Sequence, residues 1–296
     1  MTTALPPSVR LEPGGGSLPR LVVSGPAGDG EVYLHGAHVT RWRPAGHDDV
    51  LFLSSESRYS SDKAIRGGVP LCFPWFGAHA TDPNAASHGF ARVADWSLES
   101  AEEHGEDLVV VLALEDSPAT RASAWPHPFR ATLGVTIGAR LVLALRVENT
   151  GDAPVTYEEA LHTYLAVGDV RRIAVTGLEG NRYIDKVAGA AEPVAATGDA
   201  VRLTGETDRI YLDTAGTTTV DDPATGRRTT VAADHAATTV LWNPWADKAA
   251  ALADLRDDEW TGMVCVETSN VGPAAITLEP GASHTTTATI GVARHG

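Results

Sequence analysis

The chain has 296 residues, 43% of them hydrophobic and 21% charged, an ordinary globular composition with enough apolar material for a large core. A formal net charge of -15 excludes a nucleic-acid binder built on clustered Lys and Arg, and it disfavours an anionic membrane surface. A small anionic ligand stays possible if a few arginines make a locally positive pocket.

The opening "MTTALPPSVRLEPGGG" lacks the basic and apolar regions of a secretory signal, and no apolar run approaches membrane-spanning length. A cytoplasmic protein is therefore expected, with residues 1–16 loosely ordered. "LEPGGGSLP" reads as a flexible turn rather than a phosphate cradle. Short runs rich in Val, Ile, Thr and Leu then recur, bounded by Gly, Pro, Asn or Asp: "RLVVSG", "EVYLHG", "HVTRWRP", "DVLFLS", "DLVVVLALE" and "ATLGVTIG". In "RLVLALRVENTGD", Leu141, Leu143, Leu145 and Val147 fall on one face, and the Asn-Thr-Gly-Asp after them signals a turn. "VTYEEALHTYL" reads as a strand over 156–166. Beyond it lie "RRIAVTGL", "DRIYLD", "TTVLWNPW", "GMVCVETSN" and "TTTATIGVA". The best helix candidate is "ADKAAALADLRDDEW". Many strands without βαβ alternation predict an all-β fold, a large antiparallel β-sandwich in one domain over 1–296.

Strand parity then sorts the candidate chemistry. His35 and His38 are an odd number of residues apart, so a strand would point them to opposite faces; no zinc site is expected there. Cys72 and Cys265 sit in apolar runs and read as buried hydrophobes rather than a bridge or metal ligands. Within 156–166, Leu161 and Leu165 point one way and Glu158, Ala160, His162 and Tyr164 the other. In "GMVCVETSN", Val264, Val266 and Thr268 share one face, and Met263, Cys265, Glu267 and Ser269 the opposite one. A carboxylate in a β-branched strand is costly unless paired or used, so Glu267 is either a structural ion pair or one half of an acid–base couple with His162. Arg66 precedes two glycines in "IRGGVPLCFPWFG", ahead of the aromatic run Phe73, Trp75 and Phe76. "SHGFAR" adds His88 and Arg92. Either arginine alone is ordinarily just solvated; together, beside glycine and aromatics, they suit an anion grip with rings against a sugar. Asp208 in "TDRIYLD" is a turn residue or a sugar-hydroxyl ligand, and Trp242 and Trp245 in "LWNPW" read as core.

"GAHVTRWRPAG", "IRGGVPLCFPWFG", "HGFAR", "WPHPF", "ALHTYLAVGDV", "GLEGNRYIDK", "DRIY", "WNPW" and "VCVET" occur in an order that resembles the D-hexose-6-phosphate mutarotases, the glucose-6-phosphate 1-epimerases of the aldose 1-epimerase superfamily. The resemblance runs from about residue 30 to near the C-terminus. It implies a galactose-mutarotase-type (supersandwich) β-sandwich with an open sugar cleft, a monomer, and neither cofactor nor metal. It also implies His162 and Glu267 as catalytic groups, Arg66 and Arg92 on phosphate and hydroxyls, Asp208 on the sugar, and His88 orienting the ring. Ser87 and Trp75 stand where some members of the family carry glutamine.

The expected activity is interconversion of the α and β anomers of a hexose 6-phosphate, glucose 6-phosphate first among them. Glu267 would act as base and His162 as an imidazolium acid, the charged form favoured by the facing carboxylate. Three alternatives stay open on the sequence: an epimerase of unphosphorylated sugars, a glycosidase using Glu267 and Asp208, and a non-catalytic carbohydrate-binding module with Trp75 and Trp242 as platforms.

Overall fold

A computed structural model describes residues 5–189, 192–214 and 216–294. Nearly all the regular structure is antiparallel strand. One eight-stranded sheet, here called the back sheet, runs in the order Ala174–Thr176, Gly216–Asp222, Arg227–Asp234, Ser283–Arg294, Leu141–Asn149, Phe129–Ile137, Asp107–Glu115, Ser97–His104. Its centre shows why alternating sequence makes a two-faced sheet. Phe129, Ala131, Leu133, Val135 and Ile137 are buried, as are Leu141, Leu143, Leu145 and Val147, while the residues between them are less so. Leu133 pairs with Leu145 and Val135 with Leu143 across the ladder, so the apolar rows coincide.

The second eight-stranded sheet, here the site sheet, has the order Val194–Ala195, Arg182–Asp185, Thr207–Leu212, Thr238–Asn243, Met263–Asn270, Glu159–Leu161, Leu71–Cys72, with Tyr164–Ala166 also paired to Met263–Asn270. Leu161, Leu165, Leu241, Val264 and Val266 from this sheet join Leu133, Leu143, Leu145, Val231 and Ile290 of the back sheet in one core. Each such side chain stabilises the fold by about 1.5–3 kcal/mol. This is the expected β-sandwich. A four-stranded sheet (Val9–Pro13, Pro19–Ser24, Gly28–Tyr33, His38–Pro44) and a pair, Val155–Tyr157 with Ile276–Leu278, complete it.

Met263–Asn270 is buried on both faces, and its parity is as the sequence predicts. Val264 and Val266 enter the sandwich core; Met263 and Cys265 pack with Tyr164 and Trp242 on the other side.

Four expectations need correction. The strand over 156–166 is three pieces, Val155–Tyr157, Glu159–Leu161 and Tyr164–Ala166. Glu158 is drawn out of line because its carboxylate accepts from the backbone N–H groups of Phe76 (2.9 Å) and Gly272 (2.6 Å). At His162 the backbone N–H turns to the Pro70 carbonyl at 3.1 Å, while the Thr163 carbonyl accepts from Val266. The helix covers only Trp245–Ala250, followed by turns and a short 3-10 segment, Glu259–Gly262, because the chain must bend back to place Asp254 on Arg66. Residues 9–13 are a strand hydrogen-bonded to Pro19–Ser24, not loose; residues 1–4 lie outside the described residues. His35 and His38 flank a tight turn at Gly36 and Ala37 rather than sharing a strand, and each ring holds a loop carbonyl: His35 that of Lys63 at 2.8 Å, His38 that of Gly67 at 2.7 Å.

Candidate active site

Register brings the histidine and the glutamate together. Leu161 pairs with Thr268 on one side of the break and Tyr164 with Cys265 on the other. Counting inward from either side sets position 162 opposite position 267, so the two side chains are cross-strand neighbours on one face. His162 Nε2 lies 3.3 Å from Glu267 Oε1. Asp208 pairs with Trp242, Trp242 with Cys265 and Cys265 with Tyr164, so these residues form the neighbouring row on the same face of the site sheet. The candidate residues thus lie on the face away from the sandwich core.

That face floors a cleft of about 340 Å³ lined by His162, Glu267, Asp208, His88, Arg66, Arg92 and Ser87, with Lys186, Lys248, Phe76, Val240, Trp242 and Leu252. All six residues singled out for chemistry in the sequence therefore meet in one place. A second hollow of about 290 Å³ adjoins it, lined in part by Arg58, Lys63 and Asp254; Arg66 and Arg92 line both. Four cations around the first cleft give a locally positive field inside a protein of net charge -15.

The support of each group is visible. His162 stacks on Tyr164, centroids 4.8 Å apart and planes 12° from parallel, with Trp242 edge-on at 6.0 Å. Arg66 grips Asp254 through Nε and Nη2, both at 3.1 Å, and its Nη1 donates to the Tyr164 hydroxyl at 3.0 Å. It thereby braces the ring on which His162 rests, with only part of its donor set left for a ligand. Arg92 donates to the Ser87 carbonyl at 2.7 Å. His88 Nδ1 accepts from the Gly77 N–H at 3.2 Å, which fixes the neutral tautomer with its proton on Nε2. Gly89, with φ of +74°, turns the chain under it, where a Cβ would be driven into the Phe73 carbonyl.

Burial governs the protonation states. Desolvation pushes His162 well below the usual imidazole range, helped by His88, Arg92 and Arg66, and pushes Glu267 well above the usual carboxylate range, helped by Asp208. Both groups are driven toward their neutral forms, the arrangement in which the transferable proton sits on the carboxyl. This corrects the expectation of a resting imidazolium: 3.3 Å of separation does not offset removal of both charges from water. Asp208 is also raised by burial, opposed by Lys186 and Lys248, and His88 is lowered by burial to about 3.

The aromatic run divides. Phe73 is core, Trp75 is buried with its Nε1 donating to Ala86, and only Phe76 faces the cleft. Trp75 therefore offers no platform for a sugar. Trp242, expected in the core, forms cleft wall; Trp245 packs against Trp260. Lys186 and Lys248 were not foreseen. Lys186 Nζ sits 5.3 Å from the Phe76 ring centroid and 3.8 Å from the Asp208 carboxylate, and Lys248 pairs with Glu206 at 2.7 Å. Single lysines in a strand end and a short helix look like solvated surface, so nothing local marked them.

The description "Aldose 1-epimerase" belongs to the family model that matches residues 23–291. An Escherichia coli K12 protein named "Putative glucose-6-phosphate 1-epimerase" is 37% identical over 249 residues, covering 84% of this chain and 82% of its own length. A protein of the same name from the plant Cenchrus ciliaris is 36% identical over 264 residues, covering 85% and 77%. The crystal structure of a protein described as a "putative mutarotase" from Salmonella typhimurium superposes with a TM-score of 0.91 at 32% identity, over 99% of this chain and 96% of its own. A galactose mutarotase-like protein from Clostridium acetobutylicum shares the fold at 13% identity and a TM-score of 0.77. On these matches and the sandwich they share, the chain belongs to the aldose 1-epimerase family.

Proposed function

We propose that this protein interconverts the α and β anomers of a hexose 6-phosphate, with glucose 6-phosphate the first substrate to test. The observation that carries the reading is the His162–Glu267 pair at the floor of a cleft ringed by Arg66, Arg92, Lys186 and Lys248. Names borne by relatives about one-third identical over most of the chain support the same substrate class.

Ring opening removes the proton from the anomeric hydroxyl, turns that C–O bond into a carbonyl, breaks the bond from the anomeric carbon to the ring oxygen, and protonates the ring oxygen. One proton enters the base and one leaves the acid, so a pair holding a single proton is the required starting state. The ring oxygen can only accept a hydrogen bond, whereas the anomeric hydroxyl can donate one. Docked sugar therefore selects the arrangement with the proton on the group facing the ring oxygen, assigned here to His162, and the carboxylate of Glu267 facing the hydroxyl. The aldehyde then rotates about the bond to its neighbouring carbon, and the reverse transfers close the ring on the other face. Arg92, Arg66 and Lys186 hold the phosphate remote from the reacting carbon, which leaves that end free to rotate. Asp208 takes sugar hydroxyls, and His88 orients the ring.

NMR saturation transfer on glucose, galactose and their 6-phosphates tests this. Faster anomer exchange of the phosphates by the wild type, abolished in His162→Ala and Glu267→Gln, is the expected result. Wild-type exchange in either variant removes the assignment, and equal rates with and without phosphate remove the phosphate grip.

A further inference from the structure

We propose that His162, Cys265 and Glu267 form a binding site for a thiophilic divalent cation of the zinc class, and that the cation, once seated, blocks the proton-transfer pair. One donor atom from each of the three buried residues lies within 4.8 Å of the other two. Zinc holds imidazole at about 2.0 Å and thiolate at about 2.3 Å, so tetrahedral donors sit roughly 3.5 Å apart. His162 Nε2 and Glu267 Oε1 already stand at 3.3 Å. The sulfur, within 4.8 Å of both, therefore needs a side-chain adjustment of at most about 1.3 Å.

The arrangement follows from the sheet. Cys265 and Glu267 are two apart on one strand and share a face, and His162 enters from the break between the neighbouring segments Glu159–Leu161 and Tyr164–Ala166. Two atoms of the pair, His162 Nδ1 and Glu267 Oε2, are buried with no hydrogen-bond partner among the described residues, so the pair is not a closed structural unit. His162 and Glu267 line the cleft, which gives an ion its entry and leaves a fourth position for water. One thiolate and one imidazole select zinc-class ions over magnesium or calcium. On binding, the thiol and the carboxyl each release their proton to solvent, and both metal bonds form to the deprotonated groups. A metal on these atoms occupies the lone pairs that proton transfer needs, so inhibition competes with the sugar.

The inference shares the site assigned to catalysis, but its spectroscopic test does not depend on turnover. Cobalt(II) added to the wild-type protein should give a near-ultraviolet thiolate-to-metal charge-transfer band that survives Cys72→Ser, disappears in Cys265→Ser and Cys265→Ala, and is displaced by glucose 6-phosphate. Micromolar zinc should inhibit anomer exchange reversibly on chelation, whereas the Cys265 variants keep basal exchange and need at least tenfold more zinc. No thiolate band in the wild type overturns the proposal without touching the acid–base reading, and that arm needs neither a variant to fold nor a sugar to bind; a band unmoved by glucose 6-phosphate that the same preparation turns over overturns it as well. Equal zinc sensitivity of wild type and the Cys265 variants overturns it as well.

Discussion

Glu159→Gln should stabilise the protein progressively as pH rises from about 4.5, and in full above about pH 7. Glu159 pairs with Asn270 in the strand register that sets His162 against Glu267. Its Oε1 accepts from the Asn270 amide at 3.3 Å and from the Thr286 hydroxyl; Oε2 is buried without a partner. Burial raises its pKa from 4.5 to about 7, the two hydrogen bonds opposing that shift. The folded carboxyl thus keeps its proton up to about pH 7, while the unfolded one loses it near 4.5. Between these values the folded state binds more protons, so stability falls as pH rises, and the whole penalty is present above the folded pKa. At about 1.4 kcal/mol per pKa unit the shift amounts to about 3 kcal/mol. Glutamine keeps the accepting oxygen and never ionises. With an unfolding entropy of about 2.1 cal/mol/K per residue over 296 residues, the variant should melt about 5 °C above wild type near pH 8. Near pH 4.5 the two should be alike. Calorimetry or dye-monitored melting at both pH values measures the difference between differences, which removes the contributions of Glu267 and Asp208. A variant no more stable at pH 8 than at pH 4.5, relative to wild type, refutes the argument.

His162→Ala and Glu267→Gln should each lower kcat for anomer exchange by about 10²–10⁴-fold, measured by saturation transfer. Because burial raises Glu267, Glu267→Gln should also be more stable than wild type above neutrality, so that its lost turnover cannot be blamed on unfolding. The His162 imidazole, lowered by burial, should remain neutral at about pH 6.5 in the free protein when followed by NMR; half-protonation there contradicts the desolvation account. Arg92→Ala and Lys186→Ala should each raise KM for glucose 6-phosphate about tenfold or more, with a smaller effect on glucose and an effect that shrinks in high salt. Gly89→Ala should weaken the fold by more than about 1 kcal/mol, because its Cβ meets the Phe73 carbonyl at positive φ; unchanged melting removes the claim that Gly89 sets the loop under His88.

Alternation alone was enough for the sandwich. Leu141, Leu143, Leu145 and Val147 could bury one face only as a strand in a two-layer fold, and the same parity put Cys265 and Glu267 on the face opposite Val264 and Val266. His162 and Glu267 stood out by themselves, because a polar group inside an apolar run needs a reason to be there, whereas the roles proposed for Arg66, Arg92, His88 and Asp208 came from the resemblance; the structure gathers all six in one cleft. What local pattern could not supply was the partner of each group. The bulge at His162 depends on Pro70 and Val266, far along the chain, and the occupation of Arg66 by Asp254 depends on how the segment after Trp245–Ala250 bends. Lys186 and Trp242 became cleft wall for the same reason: the sheet's strand order decided which neighbours they met. Protonation was decided last of all. Water removal depends on everything packed around a side chain, so the neutral state of the His162–Glu267 pair is a property of the closed tertiary structure, whereas the periodicity that built the two sheets is a property of each strand by itself.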